Sequence, residues 1–183
     1  MEALDLLINR HSQPRLQAPA PQGEVLDNII AAAMRAPDHA GLSPWRFIVC
    51  QGLGLAKLGE ILEHAAITAD LSQKDIERAS QLPLRAPMVV IGVCRYLEHP
   101  KVPWVEQVAS TASAIHAMQM AALAQGFGGM WRTGHYAQDP VVKQELGLNE
   151  QDEIVGFLYL GSVVGDSTPK PPRSPHDVFE YWN

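Results

Sequence analysis

Three side chains able to meet an anion stand in a row at Arg10, His11 and Ser12, with Arg15 close behind. Guanidinium, imidazole and hydroxyl together suit a phosphate or a polar ligand tail, because arginine presents a rigid fork of donors. The same run also suits a solvated helix end, where cations offset the C-terminal dipole. A second cluster extends from Arg35-Ala-Pro-Asp-His39 to Ser43-Pro-Trp-Arg46. A polar loop between a helix and a strand is a common place for ligand contacts, although as a turn signal it is unspecific. The third cluster is Gly126-Phe-Gly-Gly-Met-Trp-Arg-Thr133, whose glycines let backbone approach a planar or phosphorylated ligand. Its spacing is not GxGxxG and it follows a helix instead of opening one, so a Rossmann site is not supported. Helix capping with tight packing explains this run equally well.

The seven histidines, His11, His39, His64, His99, His116, His135 and His176, form no HExxH or Cys/His ligand spacing. No metal site is expected. His116, inside a long apolar segment, is expected to be a hydrogen-bonded core residue. No GxSxG elbow or kinase signature is present, and no side chain is singled out as catalytic. Cys50 and Cys94 each lie in a β-branched, apolar run, which predicts two buried, reduced thiols in strands.

The 183 residues are 46% hydrophobic and 19% charged, enough for a sizeable core without staples. With 20 acidic and 14 basic residues the formal net charge is -6, and there is no Lys/Arg run. That balance argues against nucleic acid or an anionic membrane surface as a partner. A phosphate-bearing ligand must then be met by a local cluster of cations, so the few arginines are informative. Val108 to Ala124 is about as long as the shortest membrane spans. It carries Ser110, Thr111, Ser113, His116 and Gln119, so a buried core helix is expected instead. The opening decapeptide has no small-residue cleavage site, and a cytoplasmic location is expected.

The elements that must position these clusters follow from periodicity. Residues 2–9 read as a short helix, and Ser12 to Gly23 as a proline-containing loop. Glu24 to Met34 is an amphipathic helix with Val25, Leu26, Ile29, Ile30, Ala33 and Met34 at helical spacing, stopped by Pro37. Trp45 to Gln51 reads as a strand and Leu55 to Ala65 as a helix. Ser72 to Asp75 resembles a capping box opening another helix. Pro87 to Arg95 is a strand buried on both faces. A long helix over Val105 to Gln125, apolar nearly all round, is placed at the centre and capped at Gly126. A short strand lies within 127–134. Asp139-Pro140 opens a helix ending at Gly147, and Glu153 to Val163 is the last core strand. A single domain over 1–183 is expected, with 165–183 as an extended arm that could dock on a partner subunit. The fold class expected is α+β, a mixed β-sheet packed on the long central helix.

Taken in order over essentially the whole chain, these segments resemble the nitroreductase family, and within it the compact YdjA-like subgroup. The resemblance rests on Arg10-His11-Ser12, Met34-Arg-Ala-Pro37, Pro44-Trp-Arg-Phe47, the Ala-rich helix, Ala124-Gln-Gly-Phe-Gly-Gly-Met-Trp131 and Val155-Gly-Phe-Leu-Tyr-Leu-Gly161. It implies a nitroreductase-like homodimer holding FMN between subunits. Arg10, His11 and Ser12 would contact the FMN phosphate and ribityl tail, with Trp131, Arg132 and Thr133 along the same flavin. Arg35 and His39 would reach it from the partner chain. Ala121, Ala122, Leu123, Ala124, Gln125 and Gly126 would contact the nicotinamide nucleotide. The implied activity passes electrons from NAD(P)H, the co-substrate, to a small-molecule acceptor such as a nitroaromatic or quinone, by ping-pong hydride transfer. An FMN carrier or sensor without turnover, and a flavin dehalogenase or dehydrogenase, are the alternatives. The chain departs from larger relatives at Gly41 and Ser43, where Asn and Gln are usual, and at Pro14, where Lys is frequent.

Overall fold

The computed structural model describes residues 2–165, 171, 174–175 and 178–182. The order is α1 (Ala3–Asn9), β1 (Leu16–Gln17), α2 (Glu24–Ala33), β2 (Trp45–Gln51), α3 (Leu53–Thr68), α4 (Gln73–Gln81) and β3 (Met88–Cys94), followed by α5 (Trp104–Ala124), β4 (Gly128–Arg132), α6 (His135–Gln138), α7 (Pro140–Glu145) and β5 (Glu153–Val163).

Residue type decides the ends of these elements. Ser72 caps α4 by accepting from the Asp75 amide, as the capping-box spacing predicts. Asp139 accepts from Val141 and Val142, with Pro140 at the first helical position. At the end of α5 the cap is Gln125, and Gly126 follows with φ 85°. The Gly126 and Phe127 amides donate back to Leu123 and Ala122, a Schellman turn that needs glycine at the left-handed position. β1 falls in the segment that reads as loop, and α6 in a stretch with no assigned element; both are too short to show a period.

Strand β5 is the hub: it pairs with β3, with β4 and with β1, while β2 pairs with β3. Every pair is antiparallel, which corrects the expectation of a mixed sheet. The single-helix crossover β3–α5–β4 does leave those two strands running in one direction. However, β5 inserts between them, antiparallel to both.

Alternation along the inner strands divides the interior into two cores. Val89, Ile91, Val93, Phe157 and Tyr159 face a cluster with Leu58, Leu62 and Ala65 of α3 and Ala79 of α4. Met88, Val90, Leu158 and Leu160 face Ile29 and Ala33 of α2 and Ala114, Ile115 and Met118 of α5. The sheet is thus sandwiched between helical layers. Fully burying each of these aliphatic side chains contributes about 1.5–3 kcal/mol before entropy is counted.

The long helix departs from its expected place at the centre. Two of its sides are covered, by the sheet and by α2, while Val105, Ala109 and His116 are exposed. The expectation that His116 is a core residue is therefore overturned. Alanine and histidine on that side add little apolar bulk, so the mean apolarity of the helix misled. Helix α1 buries none of its residues, and Leu4, Leu7 and Ile8 are 71%, 54% and 75% exposed. The expected C-terminal arm lies largely outside the described residues; within it Phe179, Tyr181 and Trp182 are exposed.

Cys50 and Cys94 are buried and unpaired, as expected. Burial pushes both thiols up from the ordinary value, with Lys57 opposing this at Cys50 and Thr111 at Cys94. Since the thiolate is the nucleophile, neither should react with iodoacetamide at neutral pH until the chain unfolds. Mass spectrometry before and after denaturation checks this, and label on the native protein would contradict it.

Candidate functional site

Among the described residues strand β4 pairs with β5 alone, and its other edge is met by Gln13 and Gln119. The Gln13 backbone N–H donates to the Gly129 carbonyl (3.1 Å), and the Gln13 side-chain Oε1 accepts from the Gly129 N–H (3.0 Å). Gln119 of α5 adds a second donor to the same carbonyl (3.0 Å). Gln13 and Gln119 are 6% and 2% exposed, so these bonds are made away from water. They stitch the segment after α1, just past Arg10, His11 and Ser12, to the strand that carries Trp131 and Arg132. Gln13→Ala leaves a buried amide unpaired and should cost about 1–3 kcal/mol. A urea midpoint unchanged from the wild type would contradict that role.

Arg10 closes α1 through its amide, which donates to Leu6. Its Nε is buried and has no hydrogen-bond partner among the described residues. His11 Nδ1 donates to the Asn9 carbonyl (3.0 Å), while Ser12 is exposed.

Trp131 and Arg132 leave β4 on opposite faces. Trp131 turns toward the α2/α5 layer and lies across Gly156, its Nε1 donating to the Val155 carbonyl (3.3 Å). Val155 is the extra residue of a bulge, since Gly92 pairs with Gly156 but Val93 with Ile154. Arg132 turns toward the α3/α4 layer, with its guanidinium 5.6 Å from the centre of the Tyr159 ring.

On that second side a cavity of about 560 Å³ opens between β4, β5, α4 and α6. Leu62, Leu71, Leu82, Met130 and Phe157 supply its apolar surface, and Thr133, Tyr136 and Tyr159 its hydroxyls. Arg78, Arg85 and Arg132 line it, with Asp75 as the acidic group. Burial raises both tyrosines above the ordinary phenol range, opposed by Arg132 and Arg85 at Tyr159 and by Arg78 at Tyr136. Both therefore remain neutral donors near neutral pH. Arg78, Arg85, Tyr136 and Tyr159 were not singled out from the sequence. The capping box at Ser72 places Arg78 on a helix, but which way that helix faces is a tertiary matter.

Arg35 lies on the other side, along an open cleft with Ser113, His116 and Trp131. His39 is further away, its Nδ1 2.7 Å from Glu106 Oε2 in an exposed pair. Exposed pairs of this kind contribute little stability. Just after His39 the chain winds tightly: Ala40, Gly41 and Ser43 have φ of 64°, 65° and 49°, and the Ser43 amide donates to Asp38 (2.6 Å). Glu106 is near the start of α5 and Ala121 near its end, so at 1.5 Å per residue they stand roughly 22 Å apart. Within one chain, Gln13 ties the segment that follows Arg10–Ser12 to Gly129 of β4, while His39 is held near the start of α5.

The segment Ala121–Gly126 offers limited contacts. Ala122 is fully buried, and the Gln125 amide is occupied by Asn28, Val25 and Ala121. The segment itself carries no cation, and a helix C-terminus carries partial negative charge. Among the described residues no group of three or more metal-ligating side chains occurs, and no helix is long and apolar enough to cross a membrane.

The Nitroreductase family model matches residues 7–162, spanning β1 to α7, nearly all of β5 and the end of α1. The chain belongs to the nitroreductase family.

Within the family, the chain is 51% identical over 162 residues to "Putative NAD(P)H nitroreductase YdjA" of Escherichia coli (strain K12), covering 88% of each chain. It is 40% identical over 164 residues to "Putative NAD(P)H nitroreductase" of Haemophilus influenzae, covering 88% and 89%. Two solved nitroreductase structures share the fold. A nitroreductase-like family protein from Bacillus cereus superimposes with TM-score 0.85 at 20% identity over 100% and 96% of the chains. A Bacteroides fragilis nitroreductase with bound FMN gives 0.76 at 23% identity over 100% of both.

Proposed function

We propose that this nitroreductase is an FMN-dependent oxidoreductase that passes electrons from NAD(P)H to a small-molecule acceptor, such as a nitroaromatic or a quinone. The observation that carries the reading is the buried Arg10 Nε, without a partner among the described residues, three positions before the Gln13 that is tied to the strand bearing Arg132. A guanidinium nitrogen shielded from water and left without a partner fits a ligand phosphate, and the residues present fit FMN on that count. The relatives named as NAD(P)H nitroreductases and the FMN-bound neighbour support the same reading.

Bound FMN would supply hydride acceptance and donation, which no protein side chain can do. Arg10, His11 and Ser12 would hold its phosphate and ribityl tail, and Trp131, Arg132 and Thr133 would line the flavin. The work of the protein is to bind, orient and shield, so no side chain need act as acid or base. Ala121–Gly126 would meet only uncharged parts of the nicotinamide nucleotide, for the electrostatic reason given above.

The working unit in this proposal is a homodimer. Leu4, Leu7 and Ile8 of α1, with Ile30 and Met34 of α2, are apolar and exposed in the single chain. A second copy would cover them. It would also deliver its own Arg35 and His39 to the shared flavin site. Two buried, unpaired cysteines suit a cytoplasmic setting.

The test is a visible absorption spectrum of the purified protein, before and after anaerobic NAD(P)H, with sedimentation of the same sample. A flavin band that bleaches on a dimeric species supports the proposal. A bound flavin that persists in the oxidised form would favour a carrier. No flavin after incubation with FMN would overturn it.

A further inference from the structure

The arginine wall of the large cavity is not explained by the folding of the chain. Arg78 comes from α4, Arg85 from the turn before β3, and Arg132 from β4, so three separate segments deliver cations to one space. Among the described residues none of the three forms an ion pair, although the chain as a whole is acidic. The single carboxylate of the lining, Asp75, already accepts from the Ser72 hydroxyl (2.6 Å). The cavity therefore presents three cations and two neutral phenols against one occupied carboxylate. Like charges gathered round an apolar space repel one another at a cost to folding. An electron-rich, partly apolar guest would offset that cost.

The cavity is also continuous with the proposed flavin contacts, since Trp131, Arg132 and Thr133 line it. We infer that Arg78 and Arg85, together with Arg132, bound the electron-rich edge of the FMN ring and favour its reduced form over its oxidised form. This rests on the flavin reading above and adds two residues to it. Positive charge fixed before electrons arrive stabilises the form that carries them and costs no reorganisation when they come. Tyr136 and Tyr159, kept neutral by burial, supply donors to the same guest.

The experiment measures dissociation constants for oxidised and for dithionite-reduced FMN in the wild type and in Arg78→Ala, Arg85→Ala, Arg78→Lys and Arg85→Lys. Each alanine variant should lower the preference for reduced over oxidised FMN by about tenfold. For a two-electron couple this equals a midpoint potential about 30 mV more negative. The lysine variants should recover most of the preference, because the charge is kept. Damage to packing alone weakens both forms equally and leaves their ratio unchanged, and that result would overturn the inference. Unchanged affinities in the alanine variants would overturn it too. A wild-type protein that binds neither form of FMN would instead remove the flavin reading itself.

Discussion

Arg10→Ala should weaken FMN binding by roughly ten- to a hundred-and-fifty-fold, the equivalent of the 1.5–3 kcal/mol of a hydrogen bond to a charged group. The buried Nε has no partner to lose within the described protein. Stability without FMN should therefore stay close to that of the wild type, and the loss should appear in ligand affinity alone. Arg10→Lys should recover only part of it, since an ammonium keeps the charge but not the planar fork. Titration of FMN by flavin fluorescence checks both variants. An Arg10→Ala protein with wild-type affinity would remove Arg10 from the phosphate site.

Gly156→Ala should be among the most destabilising single-methyl changes in the chain. A Cβ there would collide with Trp131 Nε1 and come 2.9 Å from the Arg132 carbonyl, so backbone as well as side chain is in the way. Overpacking of this kind costs typically 1–3 kcal/mol. In a chain of this size each kcal/mol lowers Tm by about 2–4 °C. Trp131 would also be expelled from its slot, and FMN affinity should fall with it. Combining the change with Trp131→Ala removes the collision, so the two costs should not add. Additive losses in Tm would show that Trp131 does not occupy the space above Gly156.

Much of the fold around this site was legible in the sequence, for local reasons. Trp45–Gln51 and Glu153–Val163 form as read, because runs of β-branched and aromatic residues leave little choice of period. The caps at Ser72 and Asp139 follow from side chains that bond their own backbone within three residues. The cluster Arg10-His11-Ser12 was visible as a local concentration of donors in an acidic chain. Gln13, the residue that ties this cluster to β4, was not. Its partner Gly129 lies 116 residues away, and nothing local distinguishes it from a surface glutamine.

By itself, then, the sequence determined the type and order of most helices and strands, the caps that end them and the family to which the chain belongs. These depend on interactions that span a few residues or on a pattern carried along the whole chain. Only the tertiary structure decided that β5 inserts between β3 and β4, that His116 faces outward and that α1 buries nothing. It alone gathered Arg78, Arg85 and Arg132 round one cavity. Each of these depends on which faces meet across long loops, and neither residue type nor spacing records that choice before the sheet and its helices have packed.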